Sequence, residues 1–357
     1  MGLVLREEFQ VNAKGEQIRP ASKLHLDPQN PISSITNGSQ QFTVIADTDH
    51  SKGSIIETIA AEMPKIAKSG VKHLMLEYTN DAYNQDILKR VNSRPPQISE
   101  RELLDKAEDF RSGSEKSGNT TGNAYAHLLI AAMKNGVTVH FTGDSLGREQ
   151  ATKMQILDQE KETYLKKHPK LERFSQALYE DGNFIDKLDW PQKEKDGLKE
   201  RIETHRNKLG KNNEDWLKLN EERENIRMAP EAEEQRAERF LTLAQGEKSL
   251  VVFGRDHFRK DNDLNEAIDR QTRLEAFKSG SPLPEKTPVI EIWESKKERD
   301  LQTKEIGDST TKSQAPHIQL FADSGEIEIP DSQKSKFRVD SPQAAPISKP
   351  REQSLSP

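Results

Sequence analysis

The 357 residues hold equal shares of charged and hydrophobic types, 32% each, with 6% aromatics and a mean hydropathy of -0.90. That apolar share is below the near-half of a typical globular domain, so a compact part must be diluted by polar helices and tails. With no cysteine, disulfide scaffolds, zinc–thiolate sites and thiol nucleophiles are excluded, and a net charge of -6 supplies no basic surplus for nucleic acid.

No apolar run is long enough to cross a bilayer. Glu7 and Glu8 stand where a signal peptide needs an apolar stretch. Gly2 would suit myristoylation, but Arg6 stands where that signal wants Ser or Thr. The expectation is a soluble protein, cytoplasmic or exported without a conventional signal peptide, with no membrane span and no nucleic-acid partner.

Residues 1–40 contain Pro20, Pro28 and Pro31 without sustained periodicity and read as a polar arm. Phe42 to Ala46 is the first strand. A helix follows from about Ser54 to Lys68, with Ile55, Ile59, Met63 and Ile66 on one face, and Ser69-Gly70 stops it. Val71 to Leu76 is the second strand and ends at Glu77. Residues 79–122 are looser, with a helix around Glu100 to Arg111 and a Ser/Gly/Asn/Thr loop over Ser112 to Gly122. Asn123 to Lys134 is an apolar helix closed by Asn135-Gly136, and Val137, Val139 and Phe141 alternate as a strand. Strand, helix, strand, helix, strand with short links is the pattern of an α/β domain with a mainly parallel sheet.

From about Ser145 to Gln245 the chain is a charged helical tract, anchored by Trp190, Trp216 and several leucines, and reads as a helical insertion. Ser249 to Phe253 and Pro288 to Trp293 resume the strand pattern. Residues 296–357 are rich in Lys, Glu, Ser, Gln and Pro and read as a disordered tail, despite strand-like patches at His317 to Phe321 and Ile327 to Ile329. The expected layout is an arm (1–40), a first half-domain (41–150), an insertion (151–245), a second half-domain (246–295) and a tail (296–357). The insertion and the tail are the surfaces on which a protein partner is expected.

In a parallel α/β sheet, ligands gather at the carboxyl ends of strands. Here those ends read Asp47-Thr48-Asp49-His50, Glu77-Tyr78, Gly143-Asp144-Ser145 and Gly254-Arg255-Asp256-His257. Histidines and carboxylates converging there suit a divalent metal with open positions for water. Such an ion would lower the pKa of bound water. Without it, His50 or His257 would act as a general base oriented by Asp47, Asp49 or Glu77. The N–H groups at Gly53 and Ser54, at a helix start, would suit a phosphate or oxyanion. An acid after a strand is also a common helix cap, and Asp144 with Ser145 fits that role. His73, His127 and His140 lie inside elements and read as structural or exposed.

These motifs, in this order, resemble the superfamily that joins TraB/Tiki proteins, ChaN-like haem-binding proteins and erythromycin esterase-like hydrolases. Ala46-Asp47-Thr48-Asp49-His50 is similar to its first strand-end motif, with Ala for Gly and Asp47 for Glu. Leu74-Met75-Leu76-Glu77 is similar to the second, and Phe141-Thr142-Gly143-Asp144 to the acid that precedes the helical insertion. Glu224-Asn225-Ile226-Arg227-Met228-Ala229 resembles its helix motif, with Glu224 where the family has Arg, so Arg223 or Arg227 would supply the cation. Val251-Val252-Phe253-Gly254-Arg255-Asp256-His257 resembles the last.

The resemblance implies a metal-dependent or histidine-based hydrolase of peptide or ester bonds. His50, Glu77 and His257 would hold the metal, with Asp47 among the catalytic groups. Asp49, Asp144, Arg223, Arg227 and Tyr78 would face a small-molecule or peptide substrate. It also implies an alternative, since the same scaffold serves haem-binding proteins: a non-catalytic haem- or partner-binding protein, or a bacterial effector. A further alternative rests on Asp47-Thr48-Asp49-His50-Ser51, which resembles the haloacid dehalogenase-like phosphatases, with Asp47 as nucleophile, Asp49 as general acid and magnesium as cofactor.

Overall fold

The computed structural model describes residues 23–49, 52–78, 82–107, 120–143, 229–259, 262–281, 283–306 and 315–340, with scattered positions between 153 and 226. The chain divides into two compact units, Met1–Asp144 with Ala237–Pro357, and Ser145–Arg236.

The larger unit is an α/β layer structure, as the element pattern predicts. Its elements are β1 (Leu24–Leu26), α1 (Pro31–Thr36), β2 (Phe42–Asp47), α2 (Gly53–Lys68), β3 (His73–Leu76), α3 (Ala82–Asn92), α4 (Glu100–Asp105), α5 (Thr120–Lys134) and β4 (Thr138–Phe141). They continue with α6 (Pro230–Ala244), β5 (Ser249–Gly254), β6 (Phe258–Arg259), β7 (Asn262–Asp263), α7 (Leu264–Ser279), β8 (Val289–Trp293), α8 (Lys296–Ile306), β9 (His317–Phe321), β10 (Ile327–Glu328) and β11 (Phe337–Val339). The unit boundary falls within α6.

The main sheet runs β10-β9-β8-β2-β5-β3-β4, with every pair parallel except β10 on β9. β2, β5, β8 and β9 are buried at every position; β2 and β5 read as near-continuous apolar runs, whereas β8 and β9 bury Glu291, His317 and Gln319. From β2 the chain passes through α2 to β3, skipping one place. β5 fills that place later and then passes through α7 to β8, beyond β2 on the other side. Right-handed crossovers in opposite directions put their helices on opposite faces.

The two apolar clusters follow that division. Ile45, Leu74, Leu76, Leu250, Val252 and Ile290 face α1, α2 and α5. Val44, Ala46, Met75, Val251 and Phe253 face the second half of α6 and α7. On α2, Ile55, Ile59, Met63 and Ile66 are fully buried, each contributing roughly 2 kcal/mol through removal from water.

Several expectations are corrected. The polar arm contributes β1, which pairs in parallel with β11, and α1, whose first N–H groups at Ile32 and Ser33 donate to the Glu62 carboxylate. The disordered tail does not begin at 296: α8 follows directly, and β9 pairs with β8 in full register from Val289↔His317 to Trp293↔Phe321. Of the polar residues of β9 that argue against a strand, Gln319 is satisfied across the sheet, its Nε2 donating to Glu291. Helix α5 begins at Thr120, so Thr121 and Gly122 belong to it rather than to a loop. α3 occupies part of the stretch that carried no expected element, and α4 ends at Asp105, short of the expected Arg111.

In the smaller unit, Glu233 and Arg236 on the first turns of α6 bury an ion pair at 2.9 Å. Among the described residues, no helix is long and apolar enough to cross a membrane.

Candidate functional site

The direction of the crossovers reverses between β2 and β5, and ligands of open α/β sheets bind outside the carboxyl ends of strands at such a point. Asp47 is the last residue of β2 and pairs in register with Gly254 at the end of β5. β3 lies on the far side of β5 and ends just before Glu77. Three neighbouring strand ends therefore present Asp47, Gly254 and Glu77 along one rim.

Glu77 reaches across to β5. Its Oε2 accepts the Gly254 N–H at 2.7 Å, and its Oε1 lies 3.0 Å from His257 Nε2. His257 closes a single 3₁₀ turn, Arg255–His257, and is almost fully buried, with its ring edge-on to Phe253 at 5.3 Å between centroids. An ionised Glu77 holds the proton on Nε2, which leaves the imidazole lone pair on Nδ1.

Asp47 is also buried, at 2% exposure, and its Oδ1 accepts the Asp49 N–H at 3.0 Å. That bond shapes the turn out of β2 in the manner of an Asx turn. Thr48 Oγ1 donates to the Ile292 carbonyl at 2.7 Å, and Lys52 pairs with Glu294 at 2.7 Å, so the same turn is tied to the end of β8. α2 then starts at Gly53 without a side-chain cap from Lys52, directly after the motif and with no flap between them.

Tyr78 packs against Tyr125 of α5 and Phe141 of β4, at 5.5 Å and 5.0 Å between ring centroids. Its carbonyl accepts the Gly143 N–H at 3.0 Å. A Cβ on Gly143 would stand 3.1 Å from the Tyr78 backbone, so the two strand ends approach this closely because residue 143 has no side chain.

Of the remaining expected site residues, His50, Asp144, Arg223 and Arg227 lie outside the described residues. Asp49 and Lys52, on either side of His50, belong to the rim just described. Among the described residues, no three His, Asp or Glu side chains are arranged to hold a metal ion.

Two features escaped the sequence reading. Tyr125 is buried near both acids, and burial, then Asp47, Glu77 and Tyr78, push its hydroxyl well above the ordinary tyrosine range, so it stays a donor. Its signal was position: α5 runs antiparallel to β4, so its first turns lie at the carboxyl rim. The second is Arg255, whose Nε stands 2.8 Å from Glu291 Oε1 in the middle of β8.

The histidines read as structural or exposed form two further pairs. His73 Nδ1 and His140 Nε2 are 3.0 Å apart, and His73 Nε2 lies 2.9 Å from Glu247. Burial, with His73 and Arg239 nearby, lowers the His140 imidazole from 6.5 to about 4. His127 pairs with Glu57 at 2.6 Å on the exposed side of α5.

Fold and rim together define an α/β protein with a parallel sheet and a buried acid–histidine pair at its carboxyl edge. No family model matches the chain, and no curated protein matches it. Among solved structures it is similar to the type III effector HopBA1, at 15% identity and a TM-score of 0.36, over 78% of this chain and 89% of that one. At that TM-score nothing about this chain's chemistry follows from the likeness.

Proposed function

We propose that the chain is a hydrolase of ester or peptide bonds centred on His50, Glu77 and His257, assisted by Asp47 and by Arg223 or Arg227. The observation that carries this reading is the Glu77–His257 pair at 3.0 Å, set at the carboxyl ends of the strands alongside Asp47. The strand-end motifs and their order support it further.

In the histidine-based form, Glu77 fixes the imidazole tautomer and His257 Nδ1 takes a proton from water. The resulting hydroxide attacks the substrate carbonyl, and the proton on Nδ1 passes to the leaving group as the tetrahedral intermediate collapses. General-base assistance of this kind contributes roughly 10²–10⁴-fold. The Tyr125 hydroxyl, kept protonated by its surroundings, is the donor for the developing oxyanion.

A metal-dependent form requires His50 to join Glu77 and His257. The described donors do not by themselves make a metal site. Metal content of the purified protein and the effect of a chelator separate the two forms.

The test is hydrolysis of chromogenic esters and short peptides by the full chain. Glu77→Gln and His257→Gln are expected to lower the rate by about a hundredfold while the protein stays folded. Absence of activity in the wild type, or activity untouched by both substitutions, refutes the hydrolase. A Soret band on haem addition that vanishes in Tyr78→Ala would replace it with the haem-binding alternative.

A further inference from the structure

His257 shares its turn with a residue that works on the opposite side of the strand end. Arg255 is 4% exposed, and its guanidinium carbon stands 4.6 Å from the Trp293 ring centroid while Nε faces Glu291. β2 lies between the two strands involved: Ala46 pairs with Phe253 of β5 on one side and Glu291 of β8 on the other. The Arg255 side chain therefore spans β2 to reach its carboxylate.

Glu291 is braced from the far side as well. Gln319 Nε2 donates to its Oε2 at 2.9 Å, Arg299 Nη1 donates to Gln319 Oε1 at 2.8 Å, and His317 Nε2 stands 3.6 Å from Oε2. Burial would raise the Glu291 carboxyl, but the His317 ring and the Arg255 guanidinium beside it hold it at about 2. Glu77 holds the turn at the Gly254 N–H and at His257, and Arg255 ties its first residue to β8. A buried ion pair is a poor source of net stability compared with an apolar pair of the same volume, whereas it does favour one orientation over others.

We propose that Arg255 is a positioning residue for His257. Its ion pair with Glu291 and its stacking over Trp293 pin the first residue of the 3₁₀ turn to β8, which holds the third residue, His257, on Glu77. This rests on the reading of Glu77 and His257 as the working pair of the site.

Nuclear magnetic resonance of the histidine ring nitrogens in the full chain tests it without needing a substrate. Wild type should show His257 as a single Nε2-protonated tautomer. In Arg255→Met/Glu291→Met, which removes both charges at similar volume, the unfolding midpoint should hold while the His257 signals move to a tautomer mixture. A folded double variant with unchanged His257 signals overturns the proposal. If the double variant does not fold, Arg255→Lys decides, since a lysine keeps the charge but loses the planar group over Trp293. Shifted His257 signals there support the anchor and unchanged signals refute it. An inactive wild type with the expected tautomer change removes the hydrolase reading alone, and an active wild type with no change removes the positioning role alone.

Discussion

Acidification should weaken this fold through His140, and a single substitution should abolish that part of the effect. The ring is partly buried on the edge strand β4, next to His73, whose other nitrogen faces Glu247. Its folded pKa is lowered from 6.5 to about 4. A base with a lowered folded pKa takes its proton more readily when unfolded, so stability is intact above about 6.5 and falls as pH drops toward about 4. The gap corresponds to roughly 3 kcal/mol. Because solvent reaches part of the ring, screening reduces this to about 1–2 kcal/mol. Urea unfolding of wild type and His140→Gln, at neutral pH and near pH 4.5, measures the difference. Wild type should lose about 1–2 kcal/mol more than the variant over that interval. An equal loss in both proteins would show that the histidine pair does not carry the proton linkage.

Two further outcomes follow from the packing. The Lys248 ammonium donates to the carbonyls of Thr36, Gly38 and Ser69, joining the ends of α1 and α2 to the start of β5. Lys248→Met should therefore cost about 2 kcal/mol in denaturant unfolding, and a loss below a few tenths would mean that water replaces the amine at no cost. Gly143→Ala sets a methyl against the Tyr78 backbone at 3.1 Å and should destabilise by about 1–2 kcal/mol. Near-UV circular dichroism of the Tyr78–Tyr125 pair should change with it, and an unchanged spectrum at full stability would refute the tight approach.

The central strands were legible because burial on both faces leaves little room for polar residues, as in Ser249 to Phe253. Glu77 and His257 were legible for a different reason. They lie 180 positions apart, yet each follows a strand directly, and the strand-end rule brings such positions together without any contact information. β9 was not legible, because His317 and Gln319 look like surface residues until Glu291 is known to lie beside them. β1 was hidden for the same reason, since Leu24–Leu26 is too short to declare itself without β11 beside it. Glu291 itself sits mid-strand, where a carboxylate ordinarily marks a solvent face. The contacts from Arg255 and Gln319 reveal it as buried and paired. Local pattern carries the layers, while polar groups satisfied by distant partners stay illegible.

The late arrival of β5 has a consequence for how this molecule is made. β2 and β3 emerge early in synthesis, but the strand that joins them comes only after the whole 145–236 unit has been translated. Until then the nascent chain holds two hydrogen-bonding edges with an unfilled slot between them, and such edges invite pairing with other chains. A chain cut just before Ser249 should therefore aggregate, and supplying the remaining segment in trans should rescue it by filling the slot.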